Sequence, residues 1–185
     1  MGWIQTELKD VWVFEPKIWG DERGYFFESY NAANLPPGFE NTIFVQDNEA
    51  KSKKNVLRGL HYQLPPYDQA KLVRVVTGEV LDVIIDIRPD SSTYKKTFSL
   101  ILNDITKKQL LVPRGFAHGY VVLSDEAIFA YKCDNFYYPA AEGGILYSDD
   151  SLRIDWLIDV KNAIVSDKDA ILPLFDHHQP FIQTT

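Results

Sequence analysis

Two histidines of this chain lie in strand-like settings beside glycines, His61 in Leu57-Arg58-Gly59-Leu60-His61-Tyr62-Gln63 and His118 in Pro113-Arg114-Gly115-Phe116-Ala117-His118-Gly119. An imidazole titrates near neutrality, so it can take and return protons at cellular pH. A general base needs a partner acid on the opposite face of its substrate. Tyr131, in Ala127-Ile128-Phe129-Ala130-Tyr131-Lys132-Cys133, is the candidate. Cations come next: Arg23, Arg58, Lys71 and Arg74 all sit in or beside strand-like segments. Burying such groups is costly unless each meets an anion. They either converge on an anionic ligand or pair with surface carboxylates. Strict alternation puts Arg58 and His61 on opposite faces of one strand, so both reach one pocket only if Gly59 marks a bulge or kink.

Metal binding is the competing use of two histidines. Pro-x-Gly-x-x-His resembles the second motif of the cupins, a family of double-sheet jelly rolls. The histidine pair of the first cupin motif is incomplete here, because Gln63 stands at its second position, and Gly78-Glu79 lies far downstream. A divalent transition ion wants three or four strong N, O or S ligands. Two imidazoles and an amide fall short, so no metal is expected. His177-His178 are read as part of a solvated tail spanning 176–185.

The elements that must position these groups read as all-β. The chain has 185 residues, 45% of them hydrophobic, which suits one domain spanning 1–185 with its core at about 12–173. Its net charge of −7 argues against a protein that coats nucleic acid, although a few converging cations could still hold a diphosphate. The single cysteine, Cys133, cannot form an internal disulfide and reads as a small core residue. No signal peptide or membrane span is visible, so the cytoplasm is the expected compartment. Short β-type runs recur: 12–14, 25–30, 41–46, 56–63, 72–76, 80–88, 97–102, 109–112, 119–123 and 127–133. Ser29–Leu35 predicts a short turn, and Ser166 is a candidate N-cap for a short C-terminal helix. The run Val80–Ile87 is apolar on both faces apart from Asp82 and Asp86, which predicts a strand covered on both sides by the barrel interior and by a second layer or subunit.

Taken in order, the motifs resemble those of the dTDP-4-dehydrorhamnose 3,5-epimerases, over about Trp12 to Pro173. The carrying segments are Asp21-Glu22-Arg23-Gly24-Tyr25-Phe26-Phe27-Glu28, Phe44-Val45-Gln46-Asp47-Asn48, Val56–Gln63, Ala70-Lys71-Leu72-Val73-Arg74, Gly115–Gly119, Tyr131-Lys132 and Ser166-Asp167-Lys168-Asp169. The resemblance implies a cupin jelly roll (a double-stranded β-helix) with short helices and a C-terminal helical segment. It implies a homodimer that needs no cofactor and acts on dTDP-4-dehydro-6-deoxy-D-glucose. It makes His61 the base, Asp169 its carboxylate partner, Tyr131 the acid and Lys71 the cation near the C4 oxygen. Arg58 and His118 would hold the diphosphate or sugar. Arg23, Glu28, Gln46 and Asn48 would bind the nucleotide end, with Phe26 lining that region and Tyr137 stacking on thymine. Glu142 and Lys168 also match binding positions. Glu49-Ala50 and Tyr147-Ser148-Asp149-Asp150 depart from the family pattern. Other readings are a 3-only or 5-only epimerase, a metal-dependent cupin oxygenase and a non-catalytic sugar-nucleotide binding module.

Overall fold

The structure, a computed structural model, describes residues 2–182. In chain order the strands are β1 (Gly2–Gln5), β2 (Trp12–Glu15), β3 (Trp19–Asp21), β4 (Gly24–Phe26), β5 (Gln46–Lys53), β6 (Leu57–Gln63) and β7 (Lys71–Thr77). They continue with β8 (Glu79–Asp86), β9 (Thr97–Asn103), β10 (Gln109–Val112), β11 (Phe116–Val122), β12 (Glu126–Cys133) and β13 (Glu142–Gly144). Six strands form one sheet in the order β1-β2-β10-β7-β12-β5, five form a second in the order β13-β6-β11-β8-β9, and β3-β4 is a separate hairpin. The strand pairs are antiparallel and the two large sheets stack, which is the jelly roll that the motifs imply.

The core lies between the sheets. Val73, Val75, Phe129 and Leu110 of the six-stranded sheet meet Val80, Ile84 and Val122 of the other. Fully burying side chains of this size contributes about 1.5–3 kcal/mol each. As expected, β8 is buried on both faces. The cover on its outer face is the chain's own C-terminal segment: Leu81, Val83 and Ile85 pack with Trp156, Phe175 and Phe181.

That packing corrects the reading of 176–185 as a tail. Phe181 is only 1% exposed, and the Tyr62 hydroxyl donates to the Gln179 carbonyl at 2.7 Å. One isolated phenylalanine in a polar stretch carries no periodicity, yet it fills a hole over β8. Residues 183–185 lie outside the described residues. A second correction concerns the run 41–46. Residues 42–45 are irregular, and the strand is the polar Gln46–Lys53. This edge strand turns Gln46, Asn48, Ala50 and Ser52 inward and Asp47, Glu49, Lys51 and Lys53 to solvent, which blunts the edge with charge. The run 25–30 is strand only to Phe26. The expected helix forms as α1 (Asp167–Ala170), and the Ser166 hydroxyl accepts from the Asp169 N–H at 3.1 Å.

Candidate active site

On adjacent strands, His61 of β6 is the register partner of His118 of β11. From there the ladder slips: two steps along β11 to Tyr120 match three along β6 to Arg58. The extra residue is the bulge that the Arg58–His61 spacing demands. Only glycine suits it, since Gly59 has φ +110° and a Cβ there would lie 2.6 Å from the His118 carbonyl oxygen. The bulge brings Arg58 and His61 to one cleft of about 520 Å³, with Lys71, His118, Tyr131 and Asp169.

Each imidazole faces a carboxylate. His61 Nε2 is 2.7 Å from Asp169 Oδ1, and Asp169 Oδ2 accepts the Gly59 N–H at 3.3 Å. An Nε2–H donated to the carboxylate leaves Nδ1 as the free basic nitrogen. Burial pushes the Asp169 carboxyl up, but the bonds from His61 and Gly59 together hold it below the usual aspartate range. His118 Nε2 is 2.8 Å from Asp82 Oδ2 on the neighbouring strand β8.

Tyr131 and Lys71 come from the opposite sheet, on the paired strands β12 and β7. Burial pushes the Tyr131 phenol above the usual tyrosine range, which keeps it protonated at neutral pH. Lys71 Nζ lies 6.0 Å from the Tyr131 ring centre. Burial holds its ammonium below the ordinary lysine range, and Cys133, then the carboxylates of Asp82 and Glu142, act in the opposite sense.

A second cavity of about 350 Å³ shares His61, Lys71 and Tyr131 with the first and adds Gln46, Asn48, Tyr137 and Glu142. Glu142 links its rim, accepting the Tyr137 hydroxyl at 2.7 Å and lying 2.6 Å from Lys168 Nζ. Arg58 at the mouth donates from Nε to Ser52 Oγ at 3.2 Å. Cys133 is buried beside this cavity, where burial pushes its thiol up to about 11, as suits a core residue. Among the described residues, no three His, Cys, Asp or Glu side chains converge as a metal site.

Eleven of the proposed site residues therefore gather around the two cavities: His61, Tyr131, Asp169, Lys71, Gln46, Asn48, Arg58, His118, Tyr137, Glu142 and Lys168. Arg23, Phe26 and Glu28 do not line either cavity. The first two sit on the β3–β4 hairpin and its turn, with the Arg23 side chain 86% exposed and paired to Asp21. Local sequence makes a hairpin there but does not say what the hairpin faces. Asp82, which holds His118, and Gln63, which lines the second cavity, were not singled out as site residues from sequence. Asp82 had a usable signal: a carboxylate in a strand buried on both faces must find a hydrogen-bond partner.

Comparison with known proteins bears on the family of the chain. The family model described as dTDP-4-dehydrorhamnose 3,5-epimerase matches residues 5–177. A relative of that name from Shigella flexneri is 54% identical over 170 residues, 91% of this chain and 93% of the relative. Another from Escherichia coli strain K12 is 45% identical over 181 residues, 95% of each chain. The crystal structure of the Legionella pneumophila Philadelphia 1 dTDP-6-deoxy-D-glucose-3,5-epimerase in complex with dTDP-4-keto-L-rhamnose superposes with a TM-score of 0.90 at 43% identity, covering 99% of both chains. Likeness of this extent, in sequence and in fold alike, places the chain in the dTDP-4-dehydrorhamnose 3,5-epimerase family.

Proposed function

We propose that this chain inverts C3 and C5 of dTDP-4-dehydro-6-deoxy-D-glucose to give dTDP-4-dehydro-L-rhamnose, with His61 as base and Tyr131 as acid. The observation that carries this reading is that the two side chains come from opposite sheets into one cleft, with Lys71 beside them. The C4 carbonyl acidifies the hydrogens on C3 and C5. His61 Nδ1 takes one of these protons, and the electron pair moves through the new C–C double bond onto the C4 oxygen. The Lys71 ammonium stabilises that oxyanion where water is scarce. Collapse of the enolate takes a proton from the Tyr131 hydroxyl on the other face, and the carbon is inverted. Imidazolium and phenolate then return to their starting forms by exchange with solvent. Asp169 orients the imidazole and stabilises its charged form. The step is redox-neutral, so it draws on no nicotinamide. Arg58, His118 and Lys168 hold the diphosphate and sugar, while Gln46, Asn48, Glu142 and Tyr137 hold the nucleoside; its binding energy positions the reacting ring.

In D₂O, wild-type enzyme should incorporate deuterium at C3 and C5. His61→Ala should slow incorporation by about 10³-fold or more, the scale of general-base loss. Tyr131→Phe should retain exchange while blocking correct inversion. Exchange at the wild-type rate in His61→Ala would remove the base assignment.

The hairpin residues bear on assembly. Arg23, Phe26 and Glu28 can serve a nucleotide only if a second copy brings a cleft to them, so the working unit is proposed to be a homodimer. Mixing Arg23→Ala with His61→Ala protein should then restore activity through mixed dimers, and a monomer in sedimentation would remove the idea. The proposed compartment is the cytoplasm; among the described residues no helix is long and apolar enough to cross a membrane.

A further inference from the structure

Gln63 lies two residues past His61 on β6, so both side chains point to the same face of the strand. This is where a metal-binding jelly roll would carry another imidazole. Here both ends of a buried amide are engaged with backbone. Oε1 accepts the Tyr138 N–H at 2.8 Å, and Nε2 donates to the Tyr67 carbonyl at 2.9 Å. The side chain thus clamps two loops together, one following β6 and one joining β12 to β13. The Tyr67 and Tyr138 rings stack across the same junction, with centres 4.1 Å apart. Between the loops, Asn135 adds Nδ2 bonds to the Pro66 and Asp68 carbonyls, and Gln69 Nε2 donates to the Asn135 carbonyl. Tyr137 sits inside this bracketed stretch, half exposed, with its own N–H held by Gln46 Oε1 at 3.2 Å.

We infer that Gln63 is a positioning residue: it fixes the Tyr137 loop to the strand that carries His61, and so sets the span between the nucleobase platform and the base. A nucleotide sugar must reach both points at once. A loose platform therefore weakens nucleotide binding, while the chemistry of an already bound sugar stays intact. The inference rests on the proposed reading of Tyr137 as the residue that stacks on the nucleobase.

Gln63→Leu removes both amide ends at nearly constant volume. Gln63→Glu keeps an acceptor for Tyr138 and turns a carboxylate oxygen toward the Tyr67 carbonyl. In both, KM for the dTDP-keto-sugar and the Kd of dTDP by calorimetry should rise about tenfold, the scale of two lost hydrogen bonds in Gln63→Leu and of one lost bond plus an oxygen–oxygen repulsion in Gln63→Glu. The kcat should stay within about threefold of wild type, and the affinity for inorganic pyrophosphate should not change. A structural role alone would weaken dTDP and pyrophosphate together and lower kcat, and that result overturns the inference; so does dTDP affinity at the wild-type level. If Gln63→Leu does not fold, Gln63→Glu decides. Tyr137→Ala, measured alongside, separates the two claims. Unchanged dTDP affinity in Tyr137→Ala removes the stacking reading, whereas weakened affinity there with unchanged Gln63 variants removes this inference alone.

Discussion

His61–Asp169 and His118–Asp82 are neighbouring imidazole–carboxylate pairs with almost the same separation, 2.7 and 2.8 Å, yet they are housed differently. The His61 side chain is 28% exposed, and its carboxylate arrives on a capped helical turn from outside the sheet. His118 is 8% exposed, and its carboxylate is a strand neighbour with no exposure at all. Asp82 Oδ1 has no hydrogen-bond partner among the described residues, so His118 is the one group that satisfies this buried carboxylate. Spacing and residue type do not separate the imidazole proposed to work from the one proposed to hold. Access does. A group that must exchange protons with substrate and then with solvent needs an open edge.

Exchanging each carboxylate for its amide is the strongest way to break this comparison. Asp169→Asn should lower kcat by about 10² or more, because the imidazole loses its orienting charge as it becomes cationic. Asp82→Asn should act mainly on KM, by about tenfold, the scale of a weakened charge-assisted contact to a ligand. Steady-state kinetics on both variants reads this directly. If Asp82→Asn proves the larger kcat lesion, the working imidazole is His118.

A smaller effect sharpens the comparison through pH. The ammonium form of Lys71 is the one that stabilises an oxyanion, and burial already draws its pKa below the ordinary lysine range. Activity should therefore fall as pH rises through a point below that range. The Asp82 carboxylate opposes the shift, whereas the Asp169 carboxylate is engaged by His61 and the Gly59 N–H. Asp82→Asn should move the alkaline limb of kcat to lower pH. Asp169→Asn should leave the limb in place while lowering the plateau. A limb that moves equally in both variants would show that the charge felt at Lys71 is not local.

Much of this was legible in sequence, and the gaps have physical reasons. Strands such as Gln109–Val112 and Glu126–Cys133 declare themselves because one face of each is apolar. The bulge at Gly59 was readable as a requirement, since Arg58 and His61 could not otherwise share a cleft. β5 was not readable as a strand, because an edge strand lining a polar cleft has no apolar face to show. Phe181 was hidden because the surface it fills is made by residues about a hundred positions earlier. Gln63 was quoted as part of a motif but could not be assigned a task, since its partners Tyr67 and Tyr138 are backbone groups that any sequence would present. The position of the β3–β4 hairpin relative to a cleft is a long-range matter, which local sequence does not encode, and the proposed homodimer is what would bring the two together.

The two groups proposed to move the hydrogen, His61 and Tyr131, are anchored in different walls of the sandwich. Stacked sheets sit about 10 Å apart, a distance fixed by the side chains packed between them. The width of the slot that a sugar ring enters is thus a property of residues such as Phe129 and Tyr120, whose rings stack in the interior at 4.1 Å. On the proposed mechanism, stereochemical fidelity is in that sense a matter of wall spacing: a methylene gained or lost in the packing should misalign the two faces of the sugar while leaving both groups that move a hydrogen in place.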